Sequence, residues 1–360
     1  MATIYNISVA PAANPFNDKD EGPIRADGKF RVQYVSPMGV FGTRYYAAGE
    51  YLTFPEAPAA PNQYGVFKEW NYDSIQVYQP LNVGAIYDTV DHNTHVLLLV
   101  KSGALERSLN LKDIEGGIDW GDGTYTPGTT LTHTYAAPGR YWLTIEGNFN
   151  KSSNAAASRP AFGDCLEIWL GSTYTPDAAY MTAKPTTLIS FSPVMSNMIS
   201  SSVGNFVNQT TVPALVFPKT MTDFRYPYYT GNPVMSITMD CKVSYYSDSN
   251  ANYPKSELIM PMDPTKQSTC SFGSGSFTTT STTQINRIIY GPGYRYTNNT
   301  TIPITNEVWF TNHGTLYWNS FKYNPGKLVI YSDAWATPTD KANAESYCAS
   351  NNITIQYLPQ

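Results

Sequence analysis

The sequence predicts a mainly β protein assembled from several modules, and three observations predict it. The chain holds 25 Gly, 26 Pro and 28 Tyr, while only 14% of its residues are charged. Such a composition suits many tight turns and strands with uncharged, hydrogen-bonding surfaces. The second observation is the run Gly117-Ile-Asp-Trp-Gly-Asp-Gly123, followed by His133-Thr-Tyr-Ala-Ala-Pro-Gly-Arg-Tyr-Trp-Leu-Thr-Ile145. The third is a set of short apolar strands that recurs roughly every 20 to 30 residues through the C-terminal half.

With 360 residues the chain is long enough for two to four modules. A formal net charge of −5 argues against a nucleic-acid partner, which calls for clustered Lys and Arg. No apolar run is long enough to insert into a membrane. The start, Met1-Ala-Thr-Ile-Tyr-Asn-Ile-Ser-Val-Ala-Pro11, has neither a basic segment nor an apolar segment of the secretory kind. Cys165, Cys241, Cys270 and Cys348 are widely spaced and form no Cys-x-x-Cys, so buried free thiols are expected, with the thiol or disulfide state left open.

Residues 1–28 are polar and aperiodic and read as an extended arm that orders against a partner. Residues 29–94 read as a compact β module. Phe30, Val32 and Tyr34 alternate, Gly49-Glu50 turns, and Tyr51-Leu-Thr-Phe-Pro55 leads into a Pro-rich link before Tyr64-Gly-Val-Phe-Lys-Glu-Trp70. The order Gly49, Pro55, Pro58, Tyr64-Gly65, Phe67, Trp70 resembles the internalin-type B-repeat, a small β-grasp-like surface module. Phe67 and Trp70 are expected in its core.

Residues 95–150 carry the Trp-Gly-Asp-Gly motif. Ile118 and Trp120 alternate as in a strand, and Asp122-Gly123 is a tight-turn signal because Gly adopts positive φ without strain. Pro138-Gly139 turns again, after which Tyr141, Leu143 and Ile145 alternate to one face. Asp119 and Asp122 read as turn chemistry, with a calcium site as the alternative; one short acidic cluster falls short of the six or more oxygens calcium takes. The motif resembles the polycystic-kidney-disease (PKD) type of immunoglobulin-like module, which displays and spaces other domains. Val96–Val100 suits either the end of the preceding module or the start of this one.

Residues 151–360 hold the strand repeat, centred on 168, 189, 216, 237, 259, 289, 308, 329 and 355. Each unit is too short to bury its own apolar edge, and stacking gives a continuous core with parallel strands. The segment resembles the irregular leucine-rich repeats of bacterial surface antigens, with a degraded consensus and Ser/Thr/Tyr-rich connections; an uneven β-sandwich is the alternative. Thr339–Cys348 is the best helical stretch, and with the strand after it forms the expected terminal cap. The fold class is therefore mainly β: a β-grasp-like domain, an Ig-like (PKD) β-sandwich and a leucine-rich-repeat-like solenoid with a short C-terminal capping helix.

No catalytic constellation stands out. The Gly-x-Ser-x-Gly elbow, phosphate-binding loop and dinucleotide fingerprint are all missing, and carboxylates are sparse after residue 165. His92 and His95 beside Asp91 invite a metal reading, but on a strand that spacing puts the rings on opposite faces. His133 is expected to bond locally. No cofactor or metal is implied. The candidate ligand-binding residues are Tyr226, Tyr228, Tyr229, Tyr245, Tyr246, Tyr294 and Tyr296, placed on loops between strands. Tyrosine there offers contact area at low entropic loss, or else simply covers short turns.

Together these features predict a non-enzymatic structural protein of a tailed-bacteriophage virion, displayed as a capsid decoration, head fibre or tail-associated adhesin. The arm would dock onto other virion proteins, and the repeat face would contact a host glycan or protein. A bacterial cell-surface adhesin is the alternative.

Overall fold

The computed structural model describes residues 14–151, 162–171, 186–195, 197–198, 212–220, 223–225, 236–238, 242–246, 257–259, 271–272, 285–290, 305–311, 316–317 and 326–358. The first sheet is built from β1 (Phe30–Ser36), β2 (Gly39–Tyr46), β3 (Gly65–Trp70) and β4 (Leu81–Thr89), in the order β2-β1-β4-β3. β1 and β4 run parallel, and the flanking pairs are antiparallel. Every residue of β4 is buried, which requires cover on both faces of the sheet. Trp70 stacks on Phe41 and Phe54 at the edge of the core.

Residues 14–28, assigned to the arm, lie along the outer edge of β2. Asn17 bridges Thr43, the Phe16 ring meets Tyr34 edge-on at 5.2 Å, and the Asp18 carboxylate accepts from the Tyr45 amide. The Tyr45 hydroxyl donates to the Gly22 carbonyl, and the Arg31 guanidinium reaches Asp20 at 3.2 Å. An exposed strand edge carries unpaired amides and carbonyls, and this segment satisfies part of that edge.

A second sheet follows, from β5 (Thr94–Val100), β8 (Gly117–Asp119), β9 (Tyr125–Pro127), β11 (Gly139–Ile145), β13 (Cys165–Trp169) and β14 (Leu188–Ser190), ordered β14-β13-β5-β11-β8-β9. Two ribbons accompany it: β6 (Glu106–Ser108) with β10 (Thr132–Thr134), and β7 (Leu111–Lys112) with β12 (Asn150–Lys151). Val96, Leu98, Ile118, Leu143 and Ile145 from the sheet share a buried cluster with Leu109, Leu111, Trp120, Tyr135 and Phe149. Val96–Val100 pairs with β11 on one side and β13 on the other. The sheet thus runs on past residue 150 into the first repeat strands.

Beyond β14 come β15 (Asn197–Met198), β16 (Ala214–Val216), β17 (Asp223–Arg225), β18 (Ser236–Thr238), β19 (Lys242–Tyr246), β20 (Glu257–Ile259), β21 (Ser271–Phe272), β22 (Ile285–Tyr290), β23 (Thr305–Phe310) and β24 (Lys327–Ile330). The helix α1 (Pro338–Ser350) and the strand β25 (Thr354–Tyr357) close the chain. All nine anticipated centres fall inside strands, and β13–β14, β16–β18 and β20-β22-β23-β24-β25 pair in parallel. A second parallel row, β15-β17-β19-β21, alternates with the first along the chain and was not anticipated. Its segments are short and mostly polar, so they carry no apolar run to betray them. Helix α1 starts one residue before the expected stretch, with Thr337 as N-cap accepting from the Asp340 amide and Pro338 in the first turn. It buries Ala344 and Cys348 at the end of the row, and burial pushes the Cys348 thiol up to about 11.

The first sheet packs along the repeat strands. Ala85 and Tyr87 of β4 meet Trp169 and Leu188, while Val35 and Ile86 meet Ala214 and Val216. Asn62 donates to Glu167 at 2.8 Å, Lys219 pairs with Asp73 at 2.9 Å, and the Thr311 hydroxyl reaches buried Gln79 at 2.7 Å. The chain is mainly β, with one helix among the described residues, and its segments share one buried core.

Candidate functional site

Of the tyrosines singled out from sequence, Tyr226, Tyr228, Tyr229, Tyr294 and Tyr296 lie outside the described residues. Tyr245 and Tyr246 are not on a loop: they end β19, paired in parallel with Arg225 of β17 and with Ser271 and Phe272 of β21. The run Lys242-Val-Ser-Tyr-Tyr246 is rich in β-formers, and strand propensity prevails there. Along β14 and β16 the repeat row packs against the first sheet, so the contact face expected of the repeats is partly taken by the chain itself.

The Trp-Gly-Asp-Gly segment resolves into turn chemistry. Asp119 accepts from the Gly121 amide at 2.9 Å, and Asp122 accepts from the Thr124 amide at 3.0 Å. The second Asp122 oxygen lies 2.7 Å from His133 Nε2, and the His133 ring stacks on Trp120. Burial pushes the Asp122 carboxyl up, but the bonds from His133 and Thr124 prevail and hold it below the ordinary value. Trp120 is fully buried, and its indole N–H donates to Thr126.

His92 and His95 do not share a strand. His92 sits in the turn after β4 with φ of 61°, its Nδ1 3.7 Å from Asp88, whereas His95 is buried on β5. His95 Nε2 is 2.8 Å from Asp91, its Nδ1 is 3.0 Å from the Thr144 hydroxyl, and its ring stacks on Tyr64 at 4.2 Å. Tyr64 also packs on Trp142. This cluster fastens the loop before β3 and the turn after β4 onto the second sheet. Among the described residues no group of three or more His, Cys, Asp or Glu side chains is placed to hold a metal ion.

The five-stranded row stacks charge as well as apolar bulk. Glu257, Arg287, Glu307 and Lys327 occupy one register position on adjacent parallel strands. The Glu307 carboxylate accepts from Arg287 at 2.6 Å and from the Trp309 indole at 3.1 Å, with Lys327 3.8 Å away. The same Glu-x-Trp bond recurs at Glu167 and Trp169, at 3.4 Å. Burial raises the Glu307 carboxyl, but Arg287, Trp309 and Lys327 outweigh it and hold it below its ordinary 4.5. A depressed folded pKa contributes stability above the unfolded value and loses it as pH falls through the folded one. Glu307→Gln is therefore expected to be less stable than the parent by about 1–2 kcal/mol near neutrality. The difference should shrink as pH drops below about 4.5 in urea titrations, and a gap that is constant with pH would remove the charge from this account.

Other aromatic rings stand out into solvent, among them Tyr51, Tyr78 and Tyr125. Sequence reading passed over Tyr51 and Tyr78 because they are not clustered along the chain; only strand pairing brings their neighbourhoods together. Fold and geometry define a mainly β scaffold in which parallel strand rows, a mixed first sheet and a hairpin-rich second sheet share a core. No protein-family model, curated protein or solved structure matches the chain.

Proposed function

We propose that the chain is a non-enzymatic structural protein of a bacteriophage virion, held at the particle surface as a decoration, head fibre or tail-associated adhesin. The observation that carries this reading is the shared core. Residues 30–90 pack along the repeat strands from Trp169 to Val216, and side-chain bonds continue to Thr311 and Tyr331. A display protein holds its contact surfaces in fixed relation under load, and segments that share buried apolar surface do so without a flexible linker. The PKD-like, B-repeat-like and leucine-rich-repeat-like resemblances point to the same class. Because the first sheet covers part of the repeat row, the adhesive contacts fall to exposed edges and turns.

The test is fractionation. Antibody to the purified chain, applied to density-gradient fractions of a lysate from the source culture, is expected to detect it with intact particles and to decorate them in immunogold images. Recovery with the cell envelope, and none with particles, would instead favour a bacterial adhesin.

A further inference from the structure

We propose that Tyr51, Gln76 and Tyr78 form a saccharide-binding platform that takes two units of a neutral, linear oligosaccharide. The proposal gives the adhesive reading above a location and a ligand class, and it rests on that reading for its biological setting.

The platform arises from a short antiparallel pairing of residues 49–52 with 75–78. The Gly49 amide donates to the Val77 carbonyl, the Val77 amide to Glu50, and the Leu52 amide to Ile75, all at 2.8–2.9 Å, with Tyr51 bridging Gln76. Alternation then sends Leu52 and Val77 into the core, and Tyr51, Gln76 and Tyr78 outward. Tyr51 is 61% exposed and Tyr78 47% exposed, and the pairing puts both rings on one face. Gly49 lies opposite Tyr78 with φ of 80°, and a Cβ there would sit 3.5 Å from the Tyr78 hydroxyl, so that ring lies across the glycine.

The Gln76 amide, on the same face, is held in place. The Tyr78 hydroxyl donates to Gln76 Oε1 at 3.1 Å, and Gln76 Nε2 donates to the Gly49 carbonyl at 3.1 Å. A primary amide has two N–H donors and two oxygen lone pairs, so one donor and one acceptor remain. That adjacent pair matches neighbouring sugar hydroxyls, each of which both donates and accepts. The backbone beneath is tied down in turn, since the Tyr331 hydroxyl donates to the Tyr78 carbonyl at 3.3 Å and Gln79 bonds Thr311. Gln76 and Tyr78 therefore have little side-chain freedom left to lose on binding.

The chemistry selects the ligand. Flat phenol rings suit the C–H-rich face of a pyranose, and the diagonal spacing across an antiparallel pair, roughly 7–8 Å, offers two stacking positions along one sugar chain. None of the three side chains is charged, and the nearby Glu50 is occupied by Arg44 at 3.4 Å and by the Ala47 amide at 3.0 Å, so a neutral sugar fits better than an anionic one. Two rings alone are too small for a protein interface, which buries about 800 Å² on each partner.

The full chain would be titrated with cellohexaose, maltohexaose and N-acetylchitohexaose by calorimetry and saturation-transfer NMR. At least one is expected to bind, and Tyr51→Ala and Tyr78→Ala should each weaken it by about five- to tenfold. Thermal unfolding should stay unchanged in Tyr51→Ala, whose ring is 61% exposed, and fall only slightly in Tyr78→Ala, which loses the bond to Gln76; Tyr51→Phe should retain most of the affinity. If a probe binds and both alanine variants match the parent within about twofold, the platform is wrong while glycan adhesion stands. If none binds at about 10 mM, the platform is wrong, whatever the particle fractionation shows.

Discussion

Gly65→Ala should be among the most damaging single substitutions in this chain, destabilising it by about 3 kcal/mol or more. Gly65 opens β3 directly against the six-membered ring of Trp169, and an added Cβ would lie 1.9, 2.4 and 2.6 Å from three of its carbons. Trp169 cannot step aside, because it is fully buried between Tyr87 and Leu188 and its indole N–H is bonded to Glu167. Either the first sheet lifts off the repeat row or the row opens. The expected readout is a lower urea midpoint. Adding Trp169→Leu to Gly65→Ala should do less harm than the two single losses together, because contacting residues couple. A Gly65→Ala protein as stable as the parent would mean that the two surfaces do not meet in this way.

The second large effect is expected at Gly121, with its neighbour Gly123 as the internal control. Both have positive φ, 78° and 90°, where a Cβ is strained. They differ in space. A Cβ on Gly121 would lie 2.3 Å from the Trp142 carbonyl oxygen, which is backbone of β11, whereas one on Gly123 would meet nothing within 4 Å. Gly123→Ala should thus cost about 1–2 kcal/mol, for the backbone conformation alone. Gly121→Ala should cost about 3 kcal/mol or more, because a central strand has to move as well. Equal losses from the two, measured by thermal and urea unfolding, would show that the close approach to β11 is unimportant.

These glycines show which features of the chain are local and which are not. Asp119, Asp122 and the two glycines announced a turn, and the turn is there with both carboxylates accepting backbone amides. Nothing local, however, said that one glycine faces open solvent and the other a carbonyl from β11. The apolar runs around Ile168, Ile189, Ile289 and Val329 identified strands because a short β-branched stretch has few other ways to be buried. The second parallel row escaped notice, since Asn197–Met198 or Ser271–Phe272 carry no periodicity long enough to detect. Tyr245 and Tyr246 were misjudged for a related reason: a tyrosine pair suits a loop or a strand, and its partners in β17 and β21 lie about 20 to 30 residues away in sequence.

Sequence alone determined what depends on neighbours along the chain. It set the β class, the turns at Gly and Pro, the nine strand centres and the terminal helix, because periodicity, positive φ and capping are local properties. Tertiary structure decided what depends on pairing. It placed Val96–Val100 between β11 and β13, Gly65 under Trp169, and Tyr51 beside Gln76. A strand's hydrogen-bonding edges accept any extended partner, and only register and the burial of a particular face choose among them.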